Sequence, residues 1–420
     1  MIDGDRLEAD LHALAQFGRR PDGGVTRLAY SPEYAQAEGW LAARMASAGL
    51  STRVDPAGNL IGRIGPPGPA IVIGSHIDTV PGGGTLDGAL GVLAGLECVR
   101  ALRDEGTRLG RALEVVAFAD EEGRFLPHLG SRAMAGRLAG EVGLPERKAP
   151  DGVRLLDAAA GLGLDAADVA TAARPRRDLL AYLELHIEQG SVLESRGIRV
   201  GAVDSICGVS RTRYEFVGRT DHSGATPHDL RQDALMAAAE SIAASEDLRA
   251  RVGGPETRIT FGRLTVEPNV DCAIAGRAQL SCEVRDPDKE TIDTVAAAVG
   301  ELAHRLAGAR GVELSRDEYT RVEPAPLSPE ICSAVERACR RAGVESIRMT
   351  SGAGHDAQSF ADLTQVGMIF VPSIGGHSHC AEEATDPADL ELGTEILFDV
   401  VRELACGAPA SPPAAEVCAR

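Results

Sequence analysis

The sequence predicts an α/β fold: a domain with a mostly parallel central sheet, interrupted by an inserted α+β domain. Three observations carry this. Apolar runs of strand length at 70–74, 113–119, 181–187 and 366–371 alternate with helical stretches, the rhythm that builds parallel sheets. Residues 208–325 break that rhythm with half-exposed strands and two helices. The chain has 420 residues and is 44% hydrophobic, enough for a large core and more than one domain.

In chain order, residues 5–18 and 31–49 show helical spacing with turn residues at their ends. After the strand at 70–74, "GALGVLAGLECVRALRDEG" reads as a helix, and the strands at 113–119 and 181–187 follow. In the insert, "SRTRYEFVGRT", "RITFGRLTVEPN" and "AGRAQLSCEVRDPD" read as strands. "DALMAAAESIAASEDLRAR" and "KETIDTVAAAVGELAHRLAGA" read as its helices. The first domain therefore spans 1–207 and the insert 208–325. "VEPAPLSPE" is the return linker, and the first domain resumes over 326–404 with the strand at 366–371 and the helix "ATDPADLELGTEILFDVVRELA". The Ala/Pro-rich residues 405–420 read as a disordered tail.

A net charge of −19 argues against nucleic acid or an anionic membrane surface as the main partner. The nine cysteines are scattered, odd in number and without a CxxC pair. A disulfide framework is not expected, and a reducing, cytoplasmic setting is. The acidic, amphipathic start "MIDGDRLEADLHALAQFG" is unlike a signal peptide, and no apolar run approaches a membrane span.

The polar residues collect at strand ends. The first strand delivers His76 and Asp78, then Asp87 among glycines. The second ends in Asp120, Glu121 and Glu122. The third carries Glu184, His186, Glu188 and Gln189, and the fourth leads to His377 and His379. One histidine after a strand is usually structural. Four such endings in an open α/β sheet should converge in a crevice outside the carboxyl ends of the strands. His76, Asp87, Glu122, His186 and His379 make five candidate metal ligands, suited to zinc, manganese, nickel or cobalt. Two ions sharing Asp87 would each gain three ligands and hold a water between them, at a separation of about 3.5–4 Å. Glu121 would then be the general base. Asp78 would accept the second imidazole N–H of His76. Gly82, Gly83, Gly84 and Gly88 would let the backbone return Asp87 to the ions. No phosphate-binding glycine motif is present.

The segments "GSHIDTV", "LDGALGVLAGLE", "DEEGRF", "GSRAMAG", "LELHIEQG", "DHSGATPHDLRQDA", "SGAGHDAQSFA" and "IFVPSIGGHSH" carry a resemblance. The chain resembles the N-carbamoyl-L-amino-acid hydrolase, β-ureidopropionase and allantoate amidohydrolase group of the di-metal aminoacylase and carboxypeptidase superfamily. The resemblance implies hydrolysis of a linear C–N amide at two divalent metal ions, with a small carboxylate as substrate. It implies metal ligands at His76, Asp87, Glu122, His186 and, in "HSH", the second histidine, His379. It implies Glu121 as base, His222 as stabiliser of the tetrahedral intermediate, and Arg285 as the grip on the substrate carboxylate. Gln189, Gly354 and His355 match further substrate contacts. The insert resembles a lid and dimerisation domain, so a homodimer is expected.

Three departures stand out. Cys272 occupies the place of an asparagine thirteen residues before the carboxylate arginine, and a thiol is a poor substitute for an amide. His228 replaces the usual methionine after "TP". "EEGRF" is one residue shorter than the common pattern, which bears on Arg124. Allantoate amidohydrolase is the chief alternative to an N-carbamoyl amino acid hydrolase. An aminoacylase or dipeptidase, and a non-catalytic binding homologue, are more distant ones.

Overall fold

The computed structural model describes residues 1–406. It divides into two units. One comprises Met1–Asp204, Leu327–Met349 and the chain from His355 onward; the other comprises Ser205–Pro326 and Thr350–Gly354.

The first unit is built on a mixed sheet. From one margin inward its strands are Ser51–Val54, Leu60–Ile64, Ala112–Phe118, Ala70–His76, Leu179–Ile187, Gln365–Val371 and Val200–Ile206. The middle four run parallel. The margins are antiparallel. Every residue of Ala70–His76 and of Ala112–Phe118 is buried. Strands covered on both faces read as unbroken apolar runs, which is why the sequence exposes them so plainly.

Helices cover the sheet. Ala89–Asp104 buries most of its length, and Cys98 reaches the carbonyl of Thr394 on Pro387–Cys406. That last helix continues through Ala405 and Cys406, where a tail was expected to begin; the remainder of 405–420 lies outside the described residues. Gly4–Leu14 is capped by Asp3, whose side chain accepts from the Arg6 N–H. It is pinned by the Arg6–Glu97 ion pair at 2.7 Å. Pro32–Ser47 starts at the Ser31 cap with proline in its first turn, where a missing N–H costs nothing.

The first helix stops at Leu14 rather than at residue 18. The reason is Arg27, only 1% exposed. Its Nη1 donates to the carbonyls of Leu14 and Phe17 at 2.9 Å each, and its Nε to that of Ile77 at 2.5 Å. The guanidinium thus takes over carbonyls that the ended helix leaves open, and ties them to the chain just after the first strand.

The second unit is an antiparallel sheet in the order Glu313–Val322, Gly208–Val217, Arg277–Asp286, Arg258–Glu267. The helices Ala234–Val252 and Lys289–Ala309 share one core with it, including Phe216, Leu280, Val284, Ile292 and Val299. The eight described cysteines are free thiols. Among the described residues no helix is long and apolar enough to cross a membrane.

Candidate active site

His76, Glu121 and His186 are delivered at or just beyond the carboxyl ends of three neighbouring parallel strands. Asp87 returns to them through a backbone shape that only particular residues allow. Gly88 has φ +64°, and a Cβ there would lie 2.4 Å from the His76 ring. Leu86 and Asp87 donate their N–H groups to Glu383 Oε1 at 2.8 and 3.0 Å. A Cβ on Gly84 would come within 2.0 Å of that same oxygen. Glu383 is a buried carboxylate in the polar stretch "CAEEATD", and nothing in the sequence marks it.

Asp87 is the hub. Its Oδ1 lies 3.2 Å from His186 Nε2 and 3.6 Å from His76 Nε2. Its Oδ2 lies 3.0 Å from His379 Nε2, which is 3.4 Å from Glu122 Oε1. Four groups of described residues have ligand spacing: Glu184, His186 and His355; His76, Glu121 and Glu122; and two triads that meet at one carboxylate, His76, Asp87 and His186, and Asp87, Glu122 and His379. Asp87 is common to both, the arrangement a shared pair of cations requires.

The hydrogen bonds on the far side of each ring decide what faces inward. His186 Nδ1 lies 2.9 Å from the carbonyl of Ile187, and His76 Nδ1 lies 3.0 Å from that of Asp78. A carbonyl only accepts, so each Nδ1 carries the proton and each neutral ring turns the Nε2 lone pair toward Asp87. The His76 Nε2 lone pair then faces carboxylate oxygens, and that of His186 faces Asp87 while also accepting from the Gly88 N–H at 3.3 Å. A cation resolves this; without one, a proton must. Burial alone would lower the pKa of His76, but Glu121, Asp87 and Asp78 together raise it well above the usual histidine value. Burial, reinforced by Glu121 and Asp87, pushes the Glu122 carboxyl up to about 8. The donor set therefore fits divalent cations.

Asp78 acts differently from the expectation. Its backbone carbonyl, not its carboxylate, meets His76 Nδ1; the carboxylate lies 3.7 Å away. The side chain instead accepts from the N–H groups of Glu121 and Glu122 at 3.4 and 3.2 Å. It holds the Glu121–Glu122 turn, so the two side chains leave in different directions. Glu121 Oε2 is 3.6 Å from His76 Nε2, and Oε1 is 3.2 Å from His128 Nε2. Burial opposes its charge, but His76 and His128 outweigh that and bring its pKa down to about 2.

Gln189 Nε2 donates to Asp87 Oδ2 at 2.9 Å, while its buried Oε1 has no partner. His355 is buried edge-on to His186, with ring centroids 4.6 Å apart. Burial, then His186, hold its pKa well below the usual range, so it is neutral. His377 is exposed and stands outside both triads. Arg124 is tied to the Ala29 carbonyl at 2.7 Å and to Asp151 at 2.9 Å. Of the six described non-glycine residues with positive φ, four belong to this region: Asp120, His128, Gln189 and His379. Such backbone gathers where a site dictates geometry against local preference.

The remaining expected residues lie in the second unit. His222 Nδ1 accepts from the N–H groups of Gly224 and Ala225 at 3.1 and 3.2 Å. This leaves Nε2 as the protonated nitrogen, a donor. Cys272 is exposed, and its carbonyl accepts from Ser223 N at 3.0 Å, directly behind the His222 turn. Arg285 is held by Glu283 through Nε at 2.6 Å and by the Gly352 carbonyl through Nη1 at 2.6 Å. Gly354 closes the short segment Thr350–Gly354 of that unit. His228 is exposed in the turn after Pro227.

Comparison with known proteins agrees with this geometry. The chain is 40% identical over 412 residues to the N-carbamoyl-L-amino acid amidohydrolase of Geobacillus stearothermophilus, covering 97% of this chain and 100% of that one. It is 37% identical over 397 residues to the allantoate amidohydrolase of Bacillus subtilis, covering 93% and 95%. A crystal structure of a hydantoinase/carbamoylase family amidase from Burkholderia multivorans superposes with a TM-score of 0.90 at 33% identity, covering 97% and 98%. Residues 72–403 match the description "Peptidase family M20/M25/M40", and the chain belongs to that family.

Proposed function

We propose that this chain hydrolyses the linear C–N amide of an N-carbamoyl-L-amino acid, releasing the amine, ammonia and carbon dioxide. The observation that carries the reading is Asp87, shared by two ligand triads beside a carboxylate that belongs to neither, Glu121. His76, Asp87 and His186 would hold one divalent cation, and Asp87, Glu122 and His379 the other; zinc, manganese, nickel and cobalt all suit this set. Bound there, the cations would supply Lewis acidity and lower the pKa of a water between them.

The chain's own groups do the rest. Glu121 accepts the proton of the attacking water and returns it to the leaving nitrogen. His222 offers Nε2–H to the oxygen that gains charge on attack, as its backbone-fixed tautomer permits. Arg285 pairs with the carboxylate of the substrate; Glu283 and Gly352 fix its guanidinium but leave N–H groups over. Gln189 Oε1, buried and unpartnered, and His355 complete the contacts to substrate. The second unit serves as lid and dimerisation domain, its strand Arg258–Glu267 forming a largely exposed sheet edge.

Allantoate is the second reading, favoured by the relative from Bacillus subtilis. Release of the amine product, with ammonia followed in parallel, should be measured with metal-restored enzyme on N-carbamoyl-L-amino acids, N-carbamoyl-β-alanine, allantoate and N-acetyl amino acids. Turnover of the carbamoyl amino acids above the others is expected. Cleavage of the acetyl compounds alone would overturn the reading.

A further inference from the structure

His128 has no place in any motif of the sequence; by itself it reads as a loop histidine. The backbone makes it something else. It adopts φ 58° and ψ 32°, the left-handed region that a side chain with a Cβ enters at a cost. Two antiparallel stretches clamp it there. His128 N donates to the Glu121 carbonyl at 2.9 Å, Leu129 N to that of Asp120 at 3.2 Å, and Gly130 N to that of Ala119 at 2.8 Å. Asn59 bridges the same pair of stretches, accepting from Ala119 N and donating to the Gly130 carbonyl, both at 3.0 Å. A Cβ on Gly130 would lie 2.1 Å from Asn59 Oδ1, so the stretches can approach only with glycine there. The Asp120 carboxylate ties the intervening loop by accepting from Phe125 and Leu126 N–H at 3.0 and 2.9 Å.

The product of this clamp is one contact, His128 Nε2 to Glu121 Oε1 at 3.2 Å. The other oxygen, Oε2, is the one that faces His76. We propose that His128 is the positioning residue of the catalytic base: its ring holds Glu121 Oε1, so that Oε2 alone is presented to the attacking water. A glutamate side chain has three rotatable torsions, and Glu122 beside it is turned toward His379. Anchoring one oxygen keeps Glu121 from swinging into the same ligand role. This rests on Glu121 being the base. It adds a donor supplied by the loop 123–128, where this chain is one residue shorter than the pattern it resembles.

The test compares H128A, H128F and H128Q with wild type and with E121Q, each loaded with manganese or zinc, on a carbamoyl amino acid that the wild type turns over. Glutamine can return an N–H near the position of Nε2; phenylalanine restores bulk without a donor. In H128A and H128F, kcat should fall about 10–100-fold, as for loss of a hydrogen bond to a charged group, with KM within about twofold. H128Q should recover most of the loss. Cation content and unfolding midpoint should match wild type in all three. Wild-type kcat in both H128A and H128F would overturn the proposal, as would equal losses in H128Q and H128F. If E121Q itself stays active, it is the assignment of the base that fails, and that outcome is separable because it needs no His128 variant.

Discussion

Gly88→Ala isolates how closely the metal-facing backbone and the His76 ring have been brought together. The new Cβ would meet the ring at 2.4 Å, where ordinary contact begins at 3.4 Å. The ring or the helix start must therefore retreat by about 1 Å, an overpacking that typically costs about 1–3 kcal/mol. A second cost is separate: alanine at φ +64° loses about 1–2 kcal/mol to left-handed backbone. Gly106→Ala separates the two, because Gly106 has φ +66° and nothing within 4 Å of its would-be Cβ. Denaturant unfolding should show G106A losing only the backbone cost and G88A losing about 1–3 kcal/mol more. Activity should divide more sharply. A displacement of about 1 Å at a catalytic centre can cost about 100-fold, so G88A should lose that much kcat/KM and bind less metal after dialysis. G106A should keep both. If G88A matched G106A in stability, metal content and turnover, the claim that glycine is required for the ring's position would be wrong.

Other outcomes follow from the same geometry. Loading cations onto chelator-stripped protein at pH 7 should release about one proton or more per chain, because burial, Glu121 and Asp87 leave the Glu122 carboxyl at about 8 and therefore protonated; an indicator-dye titration without release would contradict this. Burial, then Asp55, raise the Glu38 carboxyl to about 7, so its charge destabilises the fold progressively as pH rises from about 4.5 through 7. E38Q should gain about 1 kcal/mol at pH 8, a figure reduced for its partial exposure, and nothing at pH 4; equal stability changes at both pH values would refute it. C272N should change the ratio of kcat/KM between allantoate and carbamoyl amino acids, since it restores an amide donor and acceptor where the thiol is a poor substitute; unchanged ratios would make position 272 irrelevant.

The fold was legible where burial is two-sided. Ala70–His76 and Ala112–Phe118 are apolar runs because helices and neighbouring structure cover both faces. Ser51–Val54, exposed at every residue, and Glu313–Val322, mostly exposed, carry no such pattern and went unread. The residues that meet around Asp87 could be read because charged groups ending an apolar strand are conspicuous. His128, Glu383 and Arg27 could not. Each acts through a partner distant in sequence, and only the folded backbone brings the two together: Glu121 for His128, the 86–87 turn for Glu383, and Leu14, Phe17 and Ile77 for Arg27. Asp78 lies beside His76 as its spacing predicts, but meets the ring through its backbone rather than its side chain. A backbone carbonyl two residues on reaches Nδ1 more directly than the carboxylate does.

Arg27 also links regions that look independent on paper. Two of the three carbonyls that satisfy it come from the end of the leading helix and the turn after it, and the third from the residue following His76. Shortening the chain to begin near residue 20 would strand a positive charge in the interior, one residue from a histidine of the site. Trimming the first helix for crystallisation, or fusing a tag in its place, therefore disturbs the backbone next to His76.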